Sequence, residues 1–144
     1  MREALRLARL ALDAGEIPVG AVVARGADIL GRGHNLREAA HDPTAHAEIV
    51  ALREAARALG DWRLTGCTLY VTLEPCPMCA GAIVQARLAH LWYGAADARA
   101  GCCGSRYRLT EDEAFGFSVP AHGGLLAQES AALLQAFFAG IRKA

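Results

Sequence analysis

Short apolar segments alternate along this chain with segments that have the character of helices. Helical periodicity, or a helix-opening proline, predicts four helices. These are residues 3–14, 44–59, 77–87 and 127–141. Five short apolar segments predict strands at residues 19–24, 29–33, 68–73, 88–93 and 117–119, and residues 94–116 are predicted to form a loop with a short helix. The alternation predicts one α/β domain over residues 1–144, with helices packed around a mixed sheet.

The composition predicts a soluble, cytoplasmic protein that makes no membrane contact. The longest apolar run, residues 18–24, is much shorter than the roughly 20 residues of a membrane span. Charged residues interrupt the N-terminal segment, which argues against a signal peptide. The five cysteines are an odd number and lie in clusters, so we interpret them as thiols and not as a secreted disulfide framework.

The charge balance limits how the protein can attract nucleic acids. Fifteen basic and fifteen acidic residues cancel, so the overall charge provides no long-range attraction to polyanions. All but one of the basic residues is arginine, whose planar guanidinium suits phosphate contacts. Phosphate binding would therefore have to come from a local patch.

Two short segments carry side chains that bind metals and transfer protons. The first contains His46 and Glu48, the second contains Cys76 and Cys79, and each lies at the start of a predicted helix. Cysteines three residues apart share one face of a helix, so both can bind one ion from its first turn, where the helix dipole favours thiolates. His46 adds a third ligand, and three protein ligands leave the fourth position of a catalytic zinc site for water.

Glu48 is predicted to lie beside the metal without binding it. His46 and Glu48 are two residues apart, so they can flank one site only if His46 precedes the regular part of the helix. Glu48 would then take a proton from the attacking water and pass it to a ring nitrogen. A Cys-x-x-Cys pair alone is also typical of a structural zinc site or a redox pair. Its combination with His-x-Glu is the signature of zinc nucleobase deaminases.

Five stretches that include these motifs resemble the bacterial tRNA-specific adenosine deaminases of the cytidine-deaminase-like superfamily. The stretches are residues 17–22, 33–35, 42–49, 68–82 and 94–97. The resemblance implies a three-layer α/β/α fold with helices on both faces of a mixed five-stranded sheet. It also implies a homodimer with one Zn²⁺ per subunit that converts the wobble adenosine in an arginine tRNA anticodon stem-loop to inosine. The flipped-out adenine would be attacked at C6 and lose ammonia.

The resemblance extends to residues around the base. Asn35 matches the substrate-contacting asparagine of the family, although a turn is the ordinary interpretation of an asparagine after a strand. Ile17, Leu73 and Pro75 would line the base pocket, and each also suits a core or helix-entry role. Asp97 matches a position near the nucleotides that flank the target, and its alternative role is a helix cap.

Five further positions are secondary candidates. The backbone N–H groups of Ala47 and Cys76, which lie at helix starts, could orient the water or the exocyclic nitrogen. Arg99, Arg106 and Arg108 are candidates for phosphate contacts, and a solvated face is their alternative. The sequence does not distinguish these roles.

Three functions stay open at this point. A tRNA adenosine deaminase needs an open groove, whereas a small-molecule deaminase acting on guanine, cytosine or cytidine can bury its substrate completely. A non-catalytic zinc-stabilised RNA-binding module would have no use for a free Glu48 and would provide a fourth protein ligand. Cys102 and Cys103 suggest a second metal site but lack further ligands at recognisable spacing. The apolar first and third helices could supply the dimer interface.

Overall fold

The computed structural model of the protein describes residues 1–143. In chain order its elements are α1 (Arg2–Asp13), β1 (Gly20–Arg25), β2 (Asp28–His34), α2 (Ala47–Leu59), β3 (Thr68–Leu73), α3 (Pro77–Gln85), β4 (His90–Ala95), β5 (Ala121–His122) and α4 (Ala127–Lys143). Two 3₁₀ turns, Leu109–Glu111 and Glu113–Phe115, lie between β4 and β5. Over this described part of the chain, no helix has the length and apolar character needed to cross a membrane.

The five strands form one sheet in the order β2-β1-β3-β4-β5. β1 pairs antiparallel with both β2 and β3, whereas β4 is parallel to β3 and to β5. Parallel neighbours require a crossover connection, which α3 provides between β3 and β4. The predicted mixed five-stranded sheet is confirmed.

Helices cover both faces of this sheet, and glycines in the strands allow them to pack closely. On one face α1 packs on β1 at Gly20 and α4 packs on β4 at Gly94. On the other face α2 packs on β2 at Gly31 and Gly33, where a side chain would overlap the helix backbone. Since residues in a strand alternate between the two faces, these contacts define three layers. The predicted α/β/α arrangement is confirmed.

The larger part of the core lies between the sheet and the pair α2 and α3. Among its fully buried residues are Ala51, Leu69, Ile83 and Leu91. A smaller cluster of Ala4, Leu7 and Val22 lies between α1 and β1. Because α2 and α3 share the larger core, their N-terminal ends are held side by side.

Two of the predicted helix boundaries are wrong. The second helix begins at Ala47 and not at residue 44, because Asp42 Oδ1 accepts hydrogen bonds from the backbone N–H (2.8 Å) and hydroxyl (2.7 Å) of Thr44 and holds a turn there. The third helix ends at Gln85, because Arg87 has a left-handed backbone with φ 60°. The strand that follows consequently starts at His90 instead of residue 88.

The predicted strand at residues 117–119 is also wrong. The edge strand β5 is Ala121–His122, and its pairing begins at Pro120, whose carbonyl accepts a 2.9 Å hydrogen bond from Leu91 N–H. Val119 N–H instead donates to Thr110 O at 2.6 Å. The segment before the proline is therefore bound to the first 3₁₀ turn, Leu109–Glu111, and not to the sheet.

Candidate metal centre and active site

The starts of α2 and α3 place His46 and Cys76 at equivalent positions. Each residue is the N-cap of its helix and has an extended backbone, with φ −71° and ψ 153° at His46 and φ −75° and ψ 176° at Cys76. Pro77 opens α3 because its fixed φ suits the first helical position. The extended backbone lets His46 line the same cavity as Glu48, although a regular helix would turn them about 200° apart. The predicted irregular position of His46 is confirmed.

His46, Cys76 and Cys79 lie close enough to share one ion. His46 Nδ1 is 3.6 Å from Cys76 Sγ and 3.6 Å from Cys79 Sγ. Zinc bound to sulfur at about 2.3 Å and to nitrogen at about 2.0 Å with tetrahedral angles separates the two donors by about 3.6 Å. The ligand atoms of His46, Cys76 and Cys79 all lie within 4.8 Å of one another. Among the described residues 1–143, they form the one group of three or more histidine, cysteine or acidic side chains that is close enough to hold an ion. The donor set therefore fits zinc with one coordination position left for another ligand.

The electrostatics of this group favour a thiolate at Cys76. A hydrogen bond from the Cys79 thiol, together with the neighbouring His46, lowers the pKa of Cys76 to about 4 against the effect of burial. Cys79 is fully buried and lies in the first turn of α3. The site thus holds negative charge in a position where a divalent cation can neutralise it.

Glu48 lies at the same cavity and is separate from the three donor residues. It occupies the first turn of α2 and is 4% exposed. Burial is the main cause that raises the pKa of its carboxyl group. A buried carboxyl beside a metal centre is the group that proton transfer in hydrolytic deamination requires.

His46, Cys76 and Glu48 line a cavity of about 340 Å³, within the usual size range of small-ligand sites, and the buried Cys79 contacts His46 from outside the lining. Its lining consists of Ile17, Val19, Asn35, Arg37, His46, Ala47, Glu48, Leu73, Glu74, Cys76, Asp97, Arg99 and Ala100. The lining thus combines apolar side chains such as Ile17 and Leu73 with charged side chains such as Arg37, Glu48 and Asp97.

Comparisons with known proteins agree with this geometry. The MafB19-like deaminase family matches residues 1–112. Over 143 residues the chain is 46% identical to a tRNA-specific adenosine deaminase of Bacillus subtilis, covering 99% of this chain and 89% of the relative. This chain belongs to the tRNA-specific adenosine deaminase family. The resemblance predicted from the motifs is confirmed.

Solved structures of other deaminases share the fold of this deaminase. One, from a study of A-to-I editing by tRNA:A34 deaminases at the wobble position of transfer RNA, aligns with a TM-score of 0.89 and 42% identity. That alignment covers 93% of this chain and 97% of the other. Guanine deaminase of Bacillus subtilis aligns with a TM-score of 0.63 and 43% identity over 66% of this chain and 61% of its own. The predicted cytidine-deaminase-like fold is confirmed.

Most of the predicted base-pocket residues of this deaminase line the cavity. Ile17 and Leu73 form apolar parts of its wall. Asn35 is 7% exposed; its Nδ2 donates to Ile17 O at 3.3 Å and its Oδ1 accepts from Arg37 N–H at 3.2 Å. These bonds leave Asn35 one further N–H and one lone pair for a ligand. Pro75 is buried and lies outside the lining, where its carbonyl accepts a hydrogen bond from the following loop.

Asp97 also lines the cavity and organises a turn. Its Oδ1 accepts hydrogen bonds from the backbone N–H groups of Arg99 (3.0 Å) and Ala100 (3.2 Å). All three residues line the cavity, and Arg99 is exposed. Asp97 therefore caps a turn and not a helix, which was its alternative role from the sequence, and the residue also lines the cavity.

The remaining candidates lie elsewhere. Arg106 and Arg108 do not line this cavity, and Arg108 pairs with Glu111 at 3.0 Å. Cys102 and Cys103 are buried, and burial raises the pKa of the Cys103 thiol to about 12. They lie outside the group of three donors, so the structure gives no support to a second metal site at this pair.

Two charged residues of the cavity, Arg37 and Glu74, were not among the candidates that the sequence offered. Each lies two residues from a residue that the analysis selected, Asn35 and Cys76 respectively. The sequence did contain a signal for Glu74. It is a charged residue directly after a predicted strand, within a stretch that resembles the family.

Proposed function

We propose that this deaminase converts adenosine to inosine at the wobble position of an arginine tRNA. The observation that carries the proposal is a His46, Cys76 and Cys79 donor group beside a cavity that Glu48 also lines, in a chain similar over nearly its whole length to tRNA-specific adenosine deaminases. An anticodon loop is a suitable substrate because a base is most easily flipped out of a single-stranded loop.

Zn²⁺ is the proposed cofactor, with one ion per subunit. His46, Cys76 and Cys79 hold it, because an imidazole and two thiolates are ordinary zinc ligands and three protein ligands leave a position open. Bound zinc supplies a nucleophilic water at neutral pH by lowering the pKa of that water.

Glu48 moves the protons of the reaction. Its carboxylate takes a proton from the attacking water as oxygen bonds to C6 of adenine, and delivers a proton to the ring nitrogen next to C6. The carboxylate then takes the proton of the new C6 hydroxyl and delivers it to the amino nitrogen, so that the C6–N bond breaks as the C6=O bond forms and ammonia leaves. Water and adenosine thus yield inosine and ammonia. The position of Glu48 beside the donors, without belonging to them, supports this role.

The substrate is held by the cavity walls. The residues proposed to contact the substrate or to shape the cavity are Asn35, Ile17, Leu73, Pro75 and Asp97. The backbone N–H groups of Ala47 and Cys76 are proposed as further hydrogen-bond donors. Ile17 and Leu73 offer apolar surfaces to the base, and the Asn35 amide offers a donor and an acceptor to its edge. Asp97 and Arg99 border the nucleotides that flank the base.

We also propose that the protein is a cytoplasmic homodimer. A second, apolar groove lies between α2 and α3, and the neighbouring Trp62 side chain is 55% exposed. An exposed apolar surface of this kind is suited to a second copy of the chain. Light scattering should therefore give twice the 15.2 kDa mass of one chain. A stable monomer at working concentration would contradict the proposal.

The function is tested by measuring inosine formation in an arginine tRNA anticodon stem-loop with purified, zinc-loaded protein. We expect inosine at the wobble position, and little or no turnover of free guanine, cytosine, cytidine or adenosine assayed in parallel. A stem-loop with the wobble adenosine replaced by guanosine is the matched control for position. Turnover of a free base or nucleoside alone would retain the zinc chemistry and overturn the tRNA assignment. Inactivity on all of these substrates would favour a zinc-stabilised RNA-binding module.

A further inference from the structure

Glu74 is a buried carboxylate to which the proposed reaction assigns no part. It follows the end of β3 directly and is 2% exposed. It is not one of the three donor residues and does not belong to α2, which carries Glu48. A buried carboxylate requires hydrogen-bond donors to offset the loss of water, so its partners identify what it holds.

Both oxygens of Glu74 bind a single loop. Oε1 accepts hydrogen bonds from Asp97 N–H (3.1 Å) and from the hydroxyl of Ser105. Oε2 accepts from the N–H groups of Cys103 (3.1 Å) and Ser105 (2.9 Å). We call residues 97–105 the wall loop. Its two ends are thus hydrogen-bonded to one carboxylate.

The packing of the wall loop is close around this group. A side chain at Gly101 would overlap the Glu74 carboxylate, so the loop backbone lies directly against it. Cys102 N–H also donates to Pro75 O at 2.9 Å, which ties the loop to the residue after Glu74. The fold of the loop therefore depends on the carboxylate as an acceptor at its centre.

The wall loop forms one side of the active-site cavity. Asp97, Arg99 and Ala100 line it, whereas Asn35 and His46 approach from the loop before α2 and from the N-cap of that helix. Asp97 receives its backbone position from Glu74 and in turn caps the turn that carries Arg99 and Ala100. Hydrogen bonds consequently connect Glu74 to Asp97, and Asp97 to the backbone of Arg99 and Ala100 in the cavity lining.

We infer that Glu74 is a positioning residue that holds the wall loop in the conformation that receives substrate. The inference rests on the proposed function, because the loop is taken to border the nucleotides beside the target base. Glu74 acts on substrate binding through Asp97 and Arg99, while proton transfer belongs to Glu48 and metal binding to the three donors.

The test compares steady-state kinetics and zinc content of Glu74→Gln with those of the wild type, on whichever substrate the wild type deaminates. In the glutamine variant an NH₂ group faces two of the donors, and we expect KM to rise at least about tenfold with kcat changed less than about threefold. Zinc should stay at one per subunit. Glu111→Gln is the matched control, because Glu111 also accepts a backbone N–H (Ala121, 2.9 Å) but does not line the cavity; its KM should not change.

Two further variants at the loop itself test the inference if Glu74→Gln does not fold. Ser105→Ala removes one side-chain donor, and Gly101→Ala forces the loop away from the carboxylate. Both should raise KM selectively, and Gly101→Ala should do so more strongly. An unchanged KM in the folded variants, or equal losses of kcat and zinc, would overturn the inference. Wild-type inactivity on the stem-loop would instead count against the tRNA assignment, since the Glu74 test uses the ratio of variant to wild type.

Discussion

Replacing Glu48 by alanine is expected to lower kcat by about 10⁴-fold, the upper end of the usual contribution of general acid–base catalysis, because one group serves in both directions of proton transfer. The variant should keep one zinc per subunit, since Glu48 is not among the three donors. Its Tm should not fall, because the substitution removes a buried carboxyl group whose pKa is raised by burial. Single-turnover inosine formation, metal analysis and thermal unfolding measure these three quantities.

Glu54→Ala is the matched control for this experiment. Glu54 lies on the same helix, α2, but its side chain is exposed and does not line the cavity. The control should retain wild-type kcat and zinc content. A Glu48→Ala enzyme with more than about a tenth of wild-type kcat would contradict the proton-transfer role, because general acid–base groups contribute at least about a hundredfold. Loss of zinc from this variant would assign Glu48 to the metal instead.

Replacing Cys79 by serine is expected to remove both zinc and activity. The serine hydroxyl is a poor zinc ligand, and the remaining pair, His46 and Cys76, is too few for a stable site. The protein should also unfold more easily, because a ligand present at about 1,000 times its Kd stabilises the native state by about 4 kcal/mol. Metal analysis of the purified variant and thermal unfolding with and without added zinc check this result, and chelation of the wild type should lower Tm in the same way.

Cys102→Ala provides the control for a buried cysteine outside the donor group. Its Sγ hydrogen bonds to Ala100 O at 3.4 Å, so we expect at most a modest loss of stability and full zinc content. If Cys79→Ser kept one zinc per subunit, the proposed ligand set would be incorrect. If Cys102→Ala lost zinc, the metal site would include the cysteine pair that the geometry places outside it.

The order of strands and helices was predictable because each element carries its own local pattern. Strand Thr68–Leu73 and helix Ala127–Lys143 appear close to their predicted limits, since a buried apolar run and an amphipathic repeat are properties of neighbouring residues. The edge strand was misplaced because its position depends on a hydrogen bond between Pro120 O and Leu91 N–H, which are far apart in sequence. The start of α2 was misplaced for a more local reason, the hydrogen bonds from Thr44 to Asp42.

The candidate site divides in the same way. His46, Glu48, Cys76 and Cys79 were identifiable because their spacing and chemistry are meaningful before any contact is known. Glu74 was missed because its role depends on four hydrogen bonds to a loop that lies more than twenty residues further along the chain.

By itself, the sequence determined the α/β class and selected the three proposed metal donors and the proposed proton-transfer residue, since periodicity and ligand spacing are properties of short stretches of chain. The tertiary structure decided which surfaces meet: that the N-caps of α2 and α3 lie side by side, and that Asn35 and Asp97 line the same cavity. It also placed Glu74 beneath the wall loop. These contacts join residues distant in sequence, and their positions follow from how helices pack on both faces of the sheet, which no local pattern records.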